Sequence, residues 1–224
     1  VRGDRDPSIF WEGPMAVLVN RLSASASEIF AGAVQDYGRG LVIGSQTFGK
    51  GTVQALLPVN EGQLKLTIAK FYRISGQSTQ HQGVIPDIQF PSAFDPNEIG
   101  ESALDTALPW DQIRSLRYRP IDSPQTRTSQ LIDRHQARIA ADPNFKALIK
   151  RTEQALELRG EKGTSLNLEI RIKERETNKQ TLLDIENTRR LDLGLPAIES
   201  MSELETEGKD FDPTDDASLM ESAR

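Results

Sequence analysis

The chain contains no cysteine, and only two of its 224 residues are histidines, His81 and His135. Without cysteine the protein can have no disulfide, no thiolate nucleophile and no zinc site built on thiolates. The two histidines lie in unrelated settings, one typical of a turn and one typical of a surface helix, so a histidine-rich metal site is excluded. We therefore expect no metal and no cofactor. Any hydrolytic chemistry needs another base, and a serine–lysine pair is the natural candidate.

Long apolar runs and an excess of positive charge are missing as well. No run of 18 or more apolar residues occurs, so no membrane span is predicted. The first residues, VRGDRDPS, have neither a signal-peptide pattern nor an initiator methionine, which predicts a fragment or a processed product. The net charge of −6 argues against nucleic acid as a partner, because a surface that binds it needs clustered Lys and Arg.

Hydrophobic residues make up 37% of the sequence, which is lean for two complete cores and predicts one packed region with a polar appendage. The packed region begins with a short apolar run, Met15–Val19, typical of a buried strand. Helical spacing of apolar residues follows from Ser25 to a stop at Gly38, and a second buried strand covers Leu41–Ile43. Strand, helix and strand in this order predict a crossover unit with parallel strands.

A β-hairpin is predicted next, because two strand-like segments flank a turn at Glu61-Gly62. One more short strand lies in GVIPDIQF and ends near Phe90. We therefore assign residues 1–92 to one α/β unit.

The composition changes after this unit. Residues 93–124 contain several prolines and few regular patterns, which is typical of a linker. Residues 125–202 predict a mainly helical domain whose first two polar helices are divided at Asp142-Pro143, with proline at a helix start.

Three further features complete the C-terminal part. Apolar residues alternate from Leu166 to Ile172, which favours a strand, and a highly charged helix then runs to a stop at Gly194. Residues 203–224 are acidic and are expected to form a mobile tail.

The stretch GSQTFGKGT, Gly44 to Thr52, has the spacing of a phosphate-binding loop up to Lys50. The match ends at Gly51, where a Ser or Thr hydroxyl should hold magnesium, and a hairpin follows where the motif requires a helix. A nucleotide hydrolase at Gly44–Lys50 therefore remains only an alternative interpretation.

The stretch SASASE, Ser23 to Glu28, lies between the first strand and its helix. As a capping box, Ser25 and Glu28 would only satisfy backbone amides at the helix start. A serine at this junction can also act as a nucleophile, with the Ala26 amide stabilising an oxyanion. The base would be Lys50, provided that its pKa is lowered by burial.

Local patterns do not bring Ser25 and Lys50 together. The order of elements predicts that their two turns lie at opposite ends of the strand that begins at Leu41. Period-two geometry after Lys50 places Thr52 and Gln54 on its side of the next strand, where Gln54 could orient the amine.

The run VLVNRLSASASEIFAGAVQDYGRGLVIGSQTFGKGTVQ closely resembles the C-terminal processing peptidases, or tail-specific proteases. Two motifs carry the resemblance, SASASE and TFGKGTVQ, and KFYRISGQSTQ, GVIPDI and ALPW extend it downstream. The resemblance implies that Ser25 is the nucleophile, Lys50 the general base and Gln54 its positioning residue, with Ala26 and Glu28 in oxyanion and supporting positions.

The resemblance also implies a fold and a function. We expect the C-terminal part of a ClpP/crotonase-like protease core, followed by the mainly helical C-terminal domain. The whole protein would be a periplasmic serine endopeptidase that cleaves proteins with nonpolar C-termini, with an adaptor protein as a further candidate partner. The family places a PDZ domain and another oxyanion donor upstream, so these residues alone are expected to be weakly active or inactive.

A non-enzymatic alternative concerns the polar helices after Gln125. They could form a docking module for an adaptor or a second copy of the chain, although charged helical faces are usually only solvated.

Overall fold

The computed structural model describes residues 6, 8–121, 125–161, 163–203 and 213–224. Its first elements are the predicted crossover unit. Strand β1 (Ala16–Val19) leads through helix α1 (Ala26–Asp36) to strand β2 (Leu41–Gly44). The two strands pair in parallel, with Ala16 opposite Leu41, which confirms the prediction from the apolar runs and the helical spacing.

A third short strand, β5 (Ile88–Gln89), pairs in parallel with the other side of β2 and gives the sheet order β1-β2-β5. The core below it is formed by small and branched side chains of the sheet, of α1 and of the loop before β5: Val19, Ala31, Val34, Val42 and Val84. The helix thus buries Ala31 and Val34, whereas Ile29 and Phe30, which contributed to its predicted apolar spacing, lie on the exposed side.

The predicted hairpin consists of β3 (Thr52–Val59) and β4 (Gly62–Lys70), which pair antiparallel. The pairing slips between Val53 and Gln54. The apolar side chains of both strands remain largely exposed. At the base of the hairpin, Arg73 forms a salt bridge of 2.5 Å with Asp36 at the end of α1.

The C-terminal part is helical, with α2 (Gln125–Ile139), α3 (Pro143–Gly160), α4 (Leu168–Asp192) and α5 (Ala217–Ser222). Asp142 caps α3, because its carboxylate accepts the amides of Asn144 and Phe145. None of the helices within the described ranges is long and apolar enough to cross a membrane.

The strand predicted over Leu166–Ile172 is wrong. Helix α4 begins at Leu168, because the Asn167 side chain accepts the amides of Glu169 and Ile170. The alternating apolar residues are not one face of a sheet, since Leu168 is 72% exposed. The helix ends as predicted, with Gly194 at a φ of 73° just beyond it.

His135 is not the surface residue that its sequence setting predicts. It is buried, its Nδ1 lies 2.9 Å from Glu221 Oε1, and its ring stacks on Phe90 with centroids 5.2 Å apart. Glu221 belongs to α5, and its carboxylate also accepts from Arg138 of α2. Part of the predicted mobile tail, residues 204–212, lies outside the described residues, and the helix that follows them is docked on the helical domain.

Candidate active site

The turn that carries Ser25 and the loop that carries Lys50 lie at the same edge of the sheet. Ser25 follows the carboxyl end of β1, and Lys50 follows the carboxyl end of β2. Because these strands are parallel, their carboxyl ends meet at one edge. The predicted separation of the two turns at opposite ends is therefore wrong. The Phe48 amide donates a hydrogen bond of 2.9 Å to the Ser23 backbone oxygen, which joins the lysine loop directly to the serine turn.

Ser25 occupies a backbone conformation that normally requires glycine. Its φ is 58° and its ψ −110°, values of the first central residue of a type II′ turn. The Ser27 amide closes this turn by donating to the Ala24 oxygen at 3.2 Å. A residue with a side chain at such φ is strained, and strain of this kind clusters at active sites. The sequence pattern does not indicate this feature, because it has serine where a turn of this type favours glycine.

The Ala26 amide is the first donor of helix α1. It donates to no acceptor in the described part of the chain, as is usual for the first turn of a helix. A free amide at a helix N-terminus, next to Ser25, has the position and polarity to stabilise a developing oxyanion.

Glu28 holds the serine turn and the lysine loop together. Its side chain is fully buried, with 0% exposure. Oε2 accepts the amides of Ser25 at 2.8 Å and Lys50 at 2.9 Å. Oε1 accepts the Thr47 hydroxyl at 2.6 Å and the Gly49 amide at 2.7 Å. The predicted bond from the Ser25 amide to Glu28 is thus present, and the same carboxylate also organises the second motif.

Burial raises the pKa of Glu28 above the ordinary value of a glutamate, against the opposing effect of the hydrogen bonds from Thr47, Gly49, Ser25 and Lys50. All four groups donate hydrogen bonds to the carboxylate, so the loop has the geometry to bind a charged acceptor at this position. Glu28 is therefore a buried acidic group whose role is to hold backbone amides.

The Lys50 side chain is half-buried, and its amine makes no hydrogen bond or ion pair within the described ranges. The glycines beside it are required by packing. A Cβ at Gly49, whose φ is 94°, would lie 2.8 Å from the His81 oxygen, and a Cβ at Gly51 would lie 2.5 Å from the Gln80 nitrogen. The two glycines therefore permit close backbone packing around Lys50.

The chain enters strand β3 directly after this loop. A phosphate-binding loop must instead open into a helix. The structure therefore contradicts the alternative of a nucleotide site at Gly44–Lys50.

Gln54 makes no hydrogen bond to Lys50 among the described residues. Its amide donates to Thr67 of β4 at 3.5 Å. The pairing slips here because Ile68 of β4 has no partner in the register, so the irregularity lies in β4. The role of Gln54 stays a prediction.

Three buried polar residues near the site were not singled out from the sequence. Thr47, besides donating to Glu28, accepts the Val84 amide at 2.7 Å. Arg21 and Gln80 are also fully buried and bond to the loops around Ser25 and Lys50. Their position in the motif regions is the only signal the sequence offers, because their partners are distant in the chain.

Comparison with known proteins defines first the class and then the family. Residues 2–90 match the model of peptidase family S41, so the part that carries Ser25 and Lys50 is of a peptidase class. Residues 94–224 match the model described as the C-terminal domain of tail specific protease. The chain belongs to the tail-specific protease family.

Relatives agree with this assignment. The tail-specific protease of Haemophilus influenzae is 40% identical over 227 residues, which cover 96% of this chain and 32% of the relative. The carboxy-terminal-processing protease of Bartonella bacilliformis is 55% identical over 78 residues, covering 34% of this chain and 18% of the relative. A solved structure of photosystem II D1 C-terminal processing protease is 43% identical over 37% of this chain and 21% of its own, with a TM-score of 0.33. The chain thus spans about a third of the length of the Haemophilus relative.

Proposed function

We propose that these residues supply the nucleophile and the general base of a serine endopeptidase. The observation that supports this most directly is the Glu28 carboxylate, whose Oε2 accepts the amides of both Ser25 and Lys50. A nucleophile and its base must be held in fixed relation. The strained turn at Ser25 and the Lys50 amine, which makes no hydrogen bond or ion pair with any described residue, support the same assignment.

In the proposed reaction, Ser25 Oγ forms a bond to the carbonyl carbon of the scissile peptide while its proton passes to the Lys50 amine. The Ala26 amide donates to the oxyanion. The C–N bond then breaks, the leaving amine takes the proton from Lys50, and an ester remains on Ser25. Water then forms a bond to the ester carbon while Lys50 takes its proton. The C–O bond to Ser25 breaks, Lys50 returns the proton to Ser25 Oγ, and the acid is released.

We propose substrates with nonpolar C-termini, an adaptor as a further partner, and a periplasmic location. These proposals depend on the resemblance and on the names of the relatives, tail-specific and carboxy-terminal-processing protease. Since the Haemophilus relative is about three times as long as the matched region, we expect efficient hydrolysis only from the full-length protein.

The test is hydrolysis, by the full-length protein, of an unfolded protein substrate with a nonpolar C-terminus. Ser25→Ala and Lys50→Ala should each lower kcat by about 10⁴-fold or more. Ser27→Ala is a matched control, because Ser27 lies two residues on and its hydroxyl makes no hydrogen bond within the described ranges. Its kcat should stay within about threefold of the wild type. Retention of activity by folded Ser25→Ala would refute the assignment.

A further inference from the structure

A segment from the predicted linker lies across the loops of both candidate catalytic residues. We call residues 95–111 the strap. They fall within the part of the chain that matches the C-terminal domain of tail specific protease, not within the peptidase match. The strap nevertheless contacts the peptidase part through two fully buried side chains, Arg21 and Gln80.

Arg21 connects the strap to the loop before Lys50. Its Nη1 donates to the Thr47 oxygen at 2.5 Å, and its Nε donates to the Ile99 oxygen at 2.5 Å. Its Nη2 donates to the Pro96 oxygen at 3.1 Å and to Ser102 Oγ at 2.9 Å. The buried guanidinium thus donates mostly to acceptors in the strap. A shift of the strap would therefore leave a buried cation without most of its partners.

Glu101 connects the strap directly to the lysine loop. Its amide donates to the Phe48 oxygen at 2.9 Å, and the Phe48 amide in turn donates to the Ser23 oxygen at 2.9 Å. One series of backbone bonds therefore runs from the strap through the loop before Lys50 to the turn before Ser25.

Gln80 fixes the other side of Lys50. Its Oε1 accepts the Gly51 amide at 2.9 Å, and its Nε2 donates to Glu101 Oε1 at 2.9 Å and to the Leu108 oxygen at 3.2 Å. The amide of Lys50 is held by Glu28, and the next amide is held by Gln80. The orientation of Gln80 depends on the strap, because both acceptors of its Nε2 belong to it.

We propose that the strap is a positioning element for Lys50, with Gln80 and Glu101 as positioning residues that act through the Gly51 amide. The inference rests on the proposed role of Lys50 as general base. A base displaced by about 1 Å can lose 10²-fold in rate, so the strap, which lies in the part of the chain matched by the C-terminal domain of tail specific protease, contributes to catalysis by fixing the position of the base.

The test is an exchange of the two side chains in the full-length protein. Gln80→Glu sets two carboxylates against each other and should lower kcat about 10²-fold with KM changed less than threefold. Glu101→Gln keeps an acceptor for Gln80 and should change kcat less than threefold. The double variant restores a donor–acceptor pair in the reverse sense, and its kcat should recover to within about tenfold of the wild type.

Gln35→Glu is the matched control. Gln35 Nε2 donates to Asp87 Oδ1 at 2.8 Å, so this change also places two carboxylates together, but on α1, away from Lys50. Because Gln35 Oε1 also accepts Arg73 Nη2 at 2.7 Å, which offsets part of the repulsion, the change should lower the melting temperature less than Gln80→Glu and leave kcat within threefold. If Gln80→Glu does not fold, Glu101→Ala replaces it, with about tenfold lower kcat expected beside an unaffected Glu101→Gln. The proposal is wrong if kcat follows melting temperature equally at both sites, or if Glu101→Ala and Glu101→Gln are equally active.

Amide exchange separates this proposal from the assignment of the dyad. In the Ser25→Ala background, Gln80→Glu should speed hydrogen exchange at the Gly51 amide, and the added Glu101→Gln should slow it again. If hydrogen exchange at the Gly51 amide is unchanged, the proposed positioning role of the strap is wrong, whatever the activity assay shows. Activity retained by Ser25→Ala together with the expected exchange overturns the dyad instead.

Discussion

The buried carboxylate of Glu28 accepts the backbone amide of Lys50 at 2.9 Å, across 22 residues of sequence. Glu28 lies on helix α1, which begins directly after Ser25. A change in the position of α1 therefore moves the serine turn and the lysine loop together. This arrangement makes the geometry between Ser25 and Lys50 dependent on one acidic side chain.

Glu28→Gln should both destabilise the full-length protein and lower its activity. The substitution replaces one acceptor oxygen by an amino group, which leaves two of the four donors without a partner. Leaving buried donors unpaired should lower the free energy of unfolding by about 2–3 kcal/mol, and the misplaced loop should lower kcat by about 10²-fold. Urea unfolding and steady-state kinetics measure the two effects.

Glu61→Gln is the control for this substitution, because Glu61 is exposed in the hairpin turn. Its free energy of unfolding should change by less than about 0.5 kcal/mol. A Glu28→Gln protein with wild-type kcat would show that the carboxylate is not needed to hold the loop.

The strained backbone of Ser25 predicts that its glycine variant is more stable than its alanine variant, which is the reverse of the order inside a helix. Glycine adopts a positive φ without the penalty of a side chain, so Ser25→Gly should be more stable than Ser25→Ala by about 1 kcal/mol. At Ser27, which lies inside α1, the order should reverse, because glycine in a helix is less stable than alanine by up to about 1 kcal/mol. Urea midpoints of the four variants check this, and the same order at both positions would contradict strain at Ser25.

The sequence predicts the strands and the helix around the site, but it does not predict the contact between the turns that carry Ser25 and Lys50. Two apolar runs and one helical pattern were sufficient for β1, α1 and β2, because each is a local preference reinforced by burial. The contact between the turns at Ser25 and Lys50 was missed, because it follows from the common direction of two paired strands and not from any local pattern. The resemblance to a peptidase family supplied the pairing that the local patterns did not.

Three further predictions failed. His135 has the sequence setting of a surface residue, but Phe90 and Glu221, which is 86 residues along the chain, pack against it and bury it. Alternation around Ile170 favoured a strand, but the Asn167 cap and the charged residues that follow are sufficient for a helix, and the apolar side chains of its first turns stay exposed. The strap was predicted to be a linker, because prolines and an irregular pattern are typical of linkers. Its hydrogen bonds to residues distant in the sequence leave no local pattern.

Gly51→Ala should disrupt the lysine loop, because the added Cβ would lie 2.5 Å from the Gln80 backbone nitrogen. Backbone cannot yield as a flexible side chain can, so we expect a loss of about 1–3 kcal/mol in the free energy of unfolding and a fall in kcat of at least tenfold. Gly160→Ala is the control, since its Cβ would meet nothing within 4 Å at the end of α3. It should be neutral or slightly stabilising, and equal effects of the two substitutions would argue against the close packing.

The attachment of α5 predicts a specific loss of stability in acid. Burial raises the pKa of Glu221, but the hydrogen bonds from Arg138 and His135 outweigh burial and hold this pKa below its ordinary value. Arg224 is the other charged group near it, at 4.0 Å. A carboxyl with a lowered pKa in the folded protein stabilises it above the ordinary glutamate pKa of about 4.3, and this contribution is lost as the pH falls further.

Urea unfolding of the full-length protein and of Glu221→Gln, followed by a probe in the helical domain, tests this prediction. The wild type should be more stable than Glu221→Gln at about pH 5, and the difference should shrink below about pH 4. Arg138→Met removes one of the two partners whose hydrogen bonds lower the pKa of Glu221. It should therefore reduce the stability difference at every pH and shift the loss of that difference toward higher pH. A difference that grows as the pH falls below about 5 would contradict the lowered pKa of Glu221, because only a group with a raised pKa stabilises the folded protein more in acid.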